Sequence, residues 1–177
     1  HLGSHMGTSE EEGIRRVANA CNIALKSSEG NTLLLLENTA GQKNSVGHTF
    51  NHLRKCLDLI EDKSRVGVCF DTCHGFAAGY DIRTRDAVGN LLKDFDKIIG
   101  IERLKVIHVN DSKGALNSHL DRHEHIGRGQ IGLNGFKALM SFKQIQKLPL
   151  IIETPYDSEK DYMRDIEILW SIAREQF

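Results

Sequence analysis

Four short runs of aliphatic and β-branched residues punctuate the chain, and each ends in polar side chains. They are LLLLENT (Leu33 to Thr39), VGVCFDTCH (Val66 to His74), KVIHVND (Lys105 to Asp111) and PLIIETP (Pro149 to Pro155). Continuous apolar runs of this length, without strict alternation, predict parallel strands covered on both faces. Apolar residues at helical spacing mark Glu10 to Lys26, His48 to Lys63, Thr84 to Ile99, Gly132 to Lys147 and Lys160 to Gln176. The order is one helix followed by four strand-helix units, which implies right-handed crossovers and a single parallel sheet. A doubly wound open sheet and part of a (βα)8 barrel both satisfy that order. The first run leads into ENTAGQ rather than the G-x-G-x-x-G turn of a dinucleotide-binding sheet, which lowers the open-sheet option. A whole barrel takes eight strands and roughly 250 residues. Four strands with flanking helices therefore predict an α/β fold, a partial TIM barrel comprising about its second half.

Composition narrows the class without naming a reaction. The 177 residues are 40% hydrophobic and 27% charged, an ordinary globular balance that excludes disorder. The apolar runs fall far short of the roughly 20 residues that span a bilayer, so no membrane partner is expected. Lys and Arg total 23 against 24 Asp and Glu, for a net charge of −1. Any nucleic-acid contact must then rest on a local site rather than a global field. Cys21, Cys56, Cys69 and Cys73 are too few and too irregularly spaced for a disulfide scaffold or a zinc ribbon. They read as reduced thiols of an intracellular protein, nuclear or mitochondrial in a eukaryote and cytoplasmic in a bacterium. The opening HLGSHM (1–6) has the look of a cleavage remnant from expression, which leaves residues 7–177 as the domain and sets His1 and His5 aside as ligands.

The chemistry gathers at the strand ends. Glu37, Asp71, His108 and Glu153 each close an apolar run, and the C-terminal edge of a parallel sheet is where loops converge. Two residues earlier, Leu35, Cys69, Val106 and Ile151 should form an apolar floor beneath them. Three carboxylates and an imidazole in one mouth repel unless a cation sits among them, so a divalent metal is expected. His74 follows Asp71 as D-x-x-H, and Asp121 with His123 forms D-x-H in the long loop after the third run. One carboxylate and two imidazoles suit zinc with an open position, so more than one metal is expected. His119 and His125 read as loop or supporting residues. His48 and His52 stand four apart, but they open a helix without a carboxylate partner and read as surface residues. Cys73 reads as a packed thiol. IGRGQIG (Ile126 to Gly132) reads either as a phosphate-cradling turn or as a flexible loop.

LLLLENTAGQ, GVCFDTCHGFAAGYDIRT and HVNDSKGALNSHLDRHEHIGRGQIG, followed by LIIETP, closely resemble the endonuclease IV family of apurinic/apyrimidinic (AP) endonucleases. The motifs are long and extend over most of residues 33 to 155. The resemblance implies the C-terminal part of a barrel that carries up to three zinc ions, with manganese as a substitute. It also implies hydrolysis of the DNA phosphodiester 5′ to an abasic site, leaving a 3′-hydroxyl, in base excision repair. Carried over by motif, Glu37 bridges two metals, Asp71, His108 and Glu153 complete the second site, and His74, Asp121 and His123 hold the third. Glu37 and Glu153 then hold the attacking water, and Arg122 and Arg128 are the residues expected to reach DNA phosphates. The family's first site adds two histidines from the N-terminal half, which this reading leaves absent, so two sites are largely retained and cleavage by this chain is expected to be weak. Asn117 stands where the family usually has glycine. Two alternatives remain: a sugar isomerase or epimerase resembling xylose isomerase, with a single-metal site, or a non-catalytic metal- or DNA-binding fragment that self-associates through unpaired strand edges.

Overall fold

The computed structural model describes residues 1–156 and 158–176. In chain order the elements are α1 (Glu10–Ser27), β1 (Leu34–Glu37), α2 (Phe50–Leu59), β2 (Val66–Asp71), α3 (Thr72–Ala77), α4 (Arg85–Ile98) and β3 (Leu104–His108). Then follow β4 (Asp111–Ser112), β5 (His123–Glu124), α5 (Gly132–Met140), α6 (Lys143–Gln146), β6 (Leu150–Ile151) and α7 (Glu159–Gln176). The strands β1, β2 and β6 lie within their apolar runs, and β3 starts one residue before its run, at Leu104.

The helices form where caps and a buried stripe coincide. The Ser9 hydroxyl accepts from Glu12 N at the start of α1, and three glutamates in the first turn with Lys26 in the last complement the helix dipole. Its buried residues Ile14, Ala18, Cys21 and Leu25 recur at helical spacing. Thr49 and Thr84 cap α2 and α4 in the same way. The span expected as one helix over Gly132 to Lys147 breaks at Ser141 and Phe142. The Phe142 backbone is extended there, and its ring lies under the Arg85 guanidinium, 5.0 Å from the centroid.

The strands β1, β2, β3 and β6 form one parallel sheet in that order, as a barrel arc requires. Leu36, Val68, Phe70 and Ile107 are buried on the side that α1, α2, α4, α5 and α7 cover, each of these helices packing on the next. The opposite side is covered unevenly: β2 is buried along its whole length, as expected of a strand covered on both faces, and its neighbours are covered less. Of the apolar floor, Cys69 is buried, Leu35 and Val106 are half-buried, and Ile151 is 46% exposed. The register sets Asp71 level with His108, and His108 level with Ile151. Neighbouring strands thus deliver their polar ends to a common mouth.

Residues 1–6, read from the sequence as a cleavage remnant, pack into the fold. Val46 N donates to Gly3 O at 3.0 Å, His5 N donates to Asn44 O at 2.9 Å, and Ser4 bridges to Ser45. Leu2 is buried in the core cluster over Gly47. The loop after β1 offers backbone partners to this segment, and a hexapeptide without periodicity carries no sign of that.

Candidate metal centre

The site is built from strand ends. β2 stops at Asp71, whose Oδ1 accepts from His74 N at 2.7 Å and so caps α3. This turn fixes His74, which is buried, directly above the sheet edge. Its Nδ1 lies 3.0 Å from the Asn38 carbonyl, and His123 Nδ1 lies 2.9 Å from the Glu153 carbonyl. A ring nitrogen facing a carbonyl carries the proton, so in each neutral ring Nε2 presents a bare lone pair. Those two Nε2 atoms are 3.2 Å apart. Asp121 Oδ1 approaches them to 3.2 Å from His74 Nε2 and 3.9 Å from His123 Nε2. Two lone pairs and a carboxylate pointed at one spot repel unless a proton or a cation lies between them. The residue set therefore fits a divalent metal on donor chemistry alone.

Protons respond to the same crowding. Burial works against a charged His74 ring, yet Asp121, Asp71 and Glu37 outweigh it and raise the ring to about 9. The hydrogen bond from His74 holds Asp121 below the usual carboxylate range. Burial pushes Asp71 upward.

The second set stands beside the first. His108 Nδ1 is 2.9 Å from Glu37 Oε1 and 3.0 Å from Glu153 Oε2. The Cys69 sulfur and the Glu37 carboxylate push His108 up to about 11. For Glu37, burial opposes ionisation, but His108 and His74 prevail and lower it. Glu37 also lies 3.5 Å from His74 Nδ1, between the two sets. Asp71 Oδ2 is 3.8 Å from His123 Nε2. All seven residues expected as ligands thus meet at one mouth.

One ligand-type residue was missed. His1 packs edge-on against His74, with ring centroids 4.9 Å apart, and its ligand atom lies within 4.8 Å of those of Glu37 and His74. His1, set aside as a ligand in the sequence reading, thus stands beside the Glu37 carboxylate. The only signal was the histidine itself, since no apolar run precedes it.

The remaining histidines and loops also find their places. His52 is not a surface residue. It is buried, its Nδ1 accepts from Gly47 N at 3.3 Å, and its Nε2 faces Glu10 at 3.3 Å. Nδ1 is occupied as an acceptor, so the proton sits on Nε2 and the group tethers α2 to α1 rather than ligating a metal. His125 pairs with buried Asp165 at 2.6 Å, and Asp165 also accepts from Ile126 N, which anchors the loop to α7. The His119 ring faces the Ala40 carbonyl at 3.0 Å. Cys73 is a packed thiol that burial raises to about 12. Asn117 adopts φ 62, the left-handed conformation that glycine provides without strain.

IGRGQIG is neither a phosphate cradle nor a slack loop. The buried Asp111 carboxylate accepts from Ser112, Gly127, Gly129, Ile131 and Gly132 N, at 2.8 to 3.4 Å. The anion in this nest belongs to the chain. Arg122 Nη1 donates to the Asp121 carbonyl at 2.7 Å, and Arg128 Nη2 donates to Asp161 at 3.2 Å.

An arc of parallel strands, with an outer layer of helices and a mouth crowded with imidazoles and carboxylates, defines a TIM-barrel protein built to hold metal. The sequence pattern of the xylose isomerase-like TIM barrel family matches residues 1–172. Probable endonuclease 4 of Methanoculleus marisnigri is 52% identical over 161 residues, covering 90% of this chain and 57% of that protein. Apurinic-apyrimidinic endonuclease 1 of Plasmodium falciparum is 45% identical, covering 99% of this chain and 30% of that protein. The crystal structure of endonuclease IV from Thermus thermophilus superposes with a TM-score of 0.81 at 30% identity, covering 99% of this chain and 60% of that one. The chain belongs to the endonuclease IV family of xylose isomerase-like TIM barrels. It spans less than two thirds of the length of these relatives.

Proposed function

We propose that this chain carries the metal-holding part of an AP endonuclease active site. The reaction is zinc-dependent hydrolysis of the phosphodiester 5′ to an abasic site in duplex DNA, leaving a 3′-hydroxyl, as a step of base excision repair. The observation that carries the reading is the convergence of the His74 and His123 Nε2 atoms, 3.2 Å apart and flanked by Asp121. The names of the relatives, endonuclease 4 and apurinic-apyrimidinic endonuclease 1, support a nuclease acting at abasic sites.

His74, Asp121 and His123 would hold one ion, and Asp71, His108 and Glu153 would hold a second. Glu37 stands between them and shares its other side with His1. When bound, divalent ions would lower the pKa of a nearby water and neutralise charge on the phosphate. Glu37 and Glu153 would accept hydrogen bonds from the attacking water and orient it toward phosphorus. An open cleft of about 490 Å³ adjoins the mouth, lined by His1, Thr39, Gln42, Lys43 and Asp121 among others, and gives the DNA backbone a path to the site. Arg122, exposed beside Asp121, contacts phosphate there, and Arg128 does so from the neighbouring loop. An abasic nucleotide has no base to unstack, so its extrusion into the mouth costs little, which favours damaged over intact DNA.

The isomerase alternative needs one metal and gives no reason for His74, Asp121 and His123 to converge. The test is incision of a duplex carrying one abasic analogue, by the chain and by its Glu153→Gln variant, with zinc added and then chelated. Zinc binding with at most weak zinc-dependent incision, which the variant loses, is the expected result. Zinc bound without incision would confine the chain to holding metal, and no zinc bound would remove the reading.

A further inference from the structure

Asn110 lies two residues beyond His108 and is fully buried at the floor of the mouth. Its side-chain amide is divided between two strands. Nδ2 donates to Asp71 Oδ2 at 2.6 Å, and Oδ1 accepts from Glu153 N at 2.7 Å. Its backbone is held as well, because Asn110 N donates to Thr72 Oγ1 at 2.8 Å and the same hydroxyl donates to the Asn110 carbonyl at 2.7 Å. The amide plane therefore has little freedom to turn.

The ligands feel this in two ways. Asp71 Oδ1 accepts from His74 N while Oδ2 accepts from Asn110, so both carboxylate oxygens are pinned and the remaining lone pairs keep fixed directions. The residue whose N–H Asn110 holds, Glu153, also provides the carbonyl that faces His123 Nδ1 at 2.9 Å. One amide thus sets a carboxylate on β2 and the backbone just beyond β6, and through that backbone it sets the ring orientation of His123. A carboxylate at this position would face Asp71 with like charge, and an aliphatic side chain would leave the Glu153 N–H and Asp71 Oδ2 without this partner.

We propose that Asn110 is a positioning residue of the metal centre, fixing Asp71 and Glu153 together so that ligands from separate strands are aligned before a cation arrives. The inference rests on the reading of this mouth as a divalent-metal centre. Groups that orient metal ligands typically contribute roughly ten- to hundredfold in metal affinity.

The test compares the full chain with its Asn110→Ala and Asn110→Ser variants. Zinc affinity is read by competition with a chromophoric chelator, and the d–d spectrum is read after loading with cobalt. Ile107→Val, a trimming on the outward face of the same strand, serves as the stability comparator. The expected result is a folded metal-free protein in each case, with zinc affinity roughly ten- to hundredfold lower in the Asn110 variants and an altered cobalt spectrum. Ile107→Val should lower the melting temperature and leave affinity and spectrum unchanged. Serine, too short to span both partners, tests the role should the alanine variant melt below the assay temperature. Folded Asn110 variants with wild-type affinity and spectrum would overturn the positioning role alone. A wild-type chain that takes up no zinc or cobalt would overturn the metal reading and this inference together.

Discussion

Asp111 shows what a single buried side chain decides here. Its carboxylate gathers five backbone N–H groups and closes the loop that joins β5 to α5. A Cβ on Gly129 would meet Asp111 Oδ1 and Ser112 O at 2.5 Å, so glycine is required there by space. Asp111→Ala should cost about 3 kcal/mol or more by orphaning these donors, and Gly129→Ala about 1–3 kcal/mol by overpacking. Urea unfolding at neutral pH measures both, and losses under about 0.5 kcal/mol, the size of an ordinary surface change, would show that the nest is not what holds the loop. Glu37, Asp71, His108 and Glu153 were legible in the sequence because each ends an apolar run where a parallel strand must stop. Asn110 and Asp111 were not, since an asparagine or aspartate just beyond a strand is also a common turn residue.

At the scale of elements, periodicity located the strands and main helices, and capping chemistry set their starts. It did not reveal that Asp71 both ends β2 and caps α3, or that β4 and β5 pair, because those depend on how separate segments pack. Packing between elements also changes thiol chemistry. Cys56 on α2 is buried in the core near Cys21 of α1, and burial pushes it from 9.0 to about 12. The folded state thus keeps this thiol neutral while the unfolded chain ionises it near 9. Its contribution to stability is intact below about pH 9 and is lost as the pH rises toward about 12. Denaturant midpoints should therefore fall on going from about pH 8 to about pH 10, with a shallower fall in Cys56→Ala. Equal slopes would assign the alkaline loss to other groups.

For the whole molecule, the sheet is well covered by helices on one side and open toward the other. Leu150, Ile152, Tyr162, Leu169 and Trp170 line an apolar groove beside β6, and Trp170, the single tryptophan, is 61% exposed. Its emission should be red-shifted and readily quenched by acrylamide in the dilute chain. A blue shift with rising concentration, together with heavier species in sedimentation, is the outcome that self-association through this edge requires; an unchanged spectrum and a constant monomer mass would count against it. Among the described residues, no helix is long and apolar enough to cross a membrane. By itself the sequence determined the order of the four main strands and their helices, the parallel sheet and the four polar residues at its strand ends, because apolar periodicity and strand ends are local properties of the chain. Only the tertiary structure decided that His74 and His123 turn their Nε2 atoms toward one point, that His1 joins them, and that Asn110 and Asp111 hold the residues of the mouth and their loop. Those facts depend on distances between residues far apart in sequence, and packing alone sets such distances.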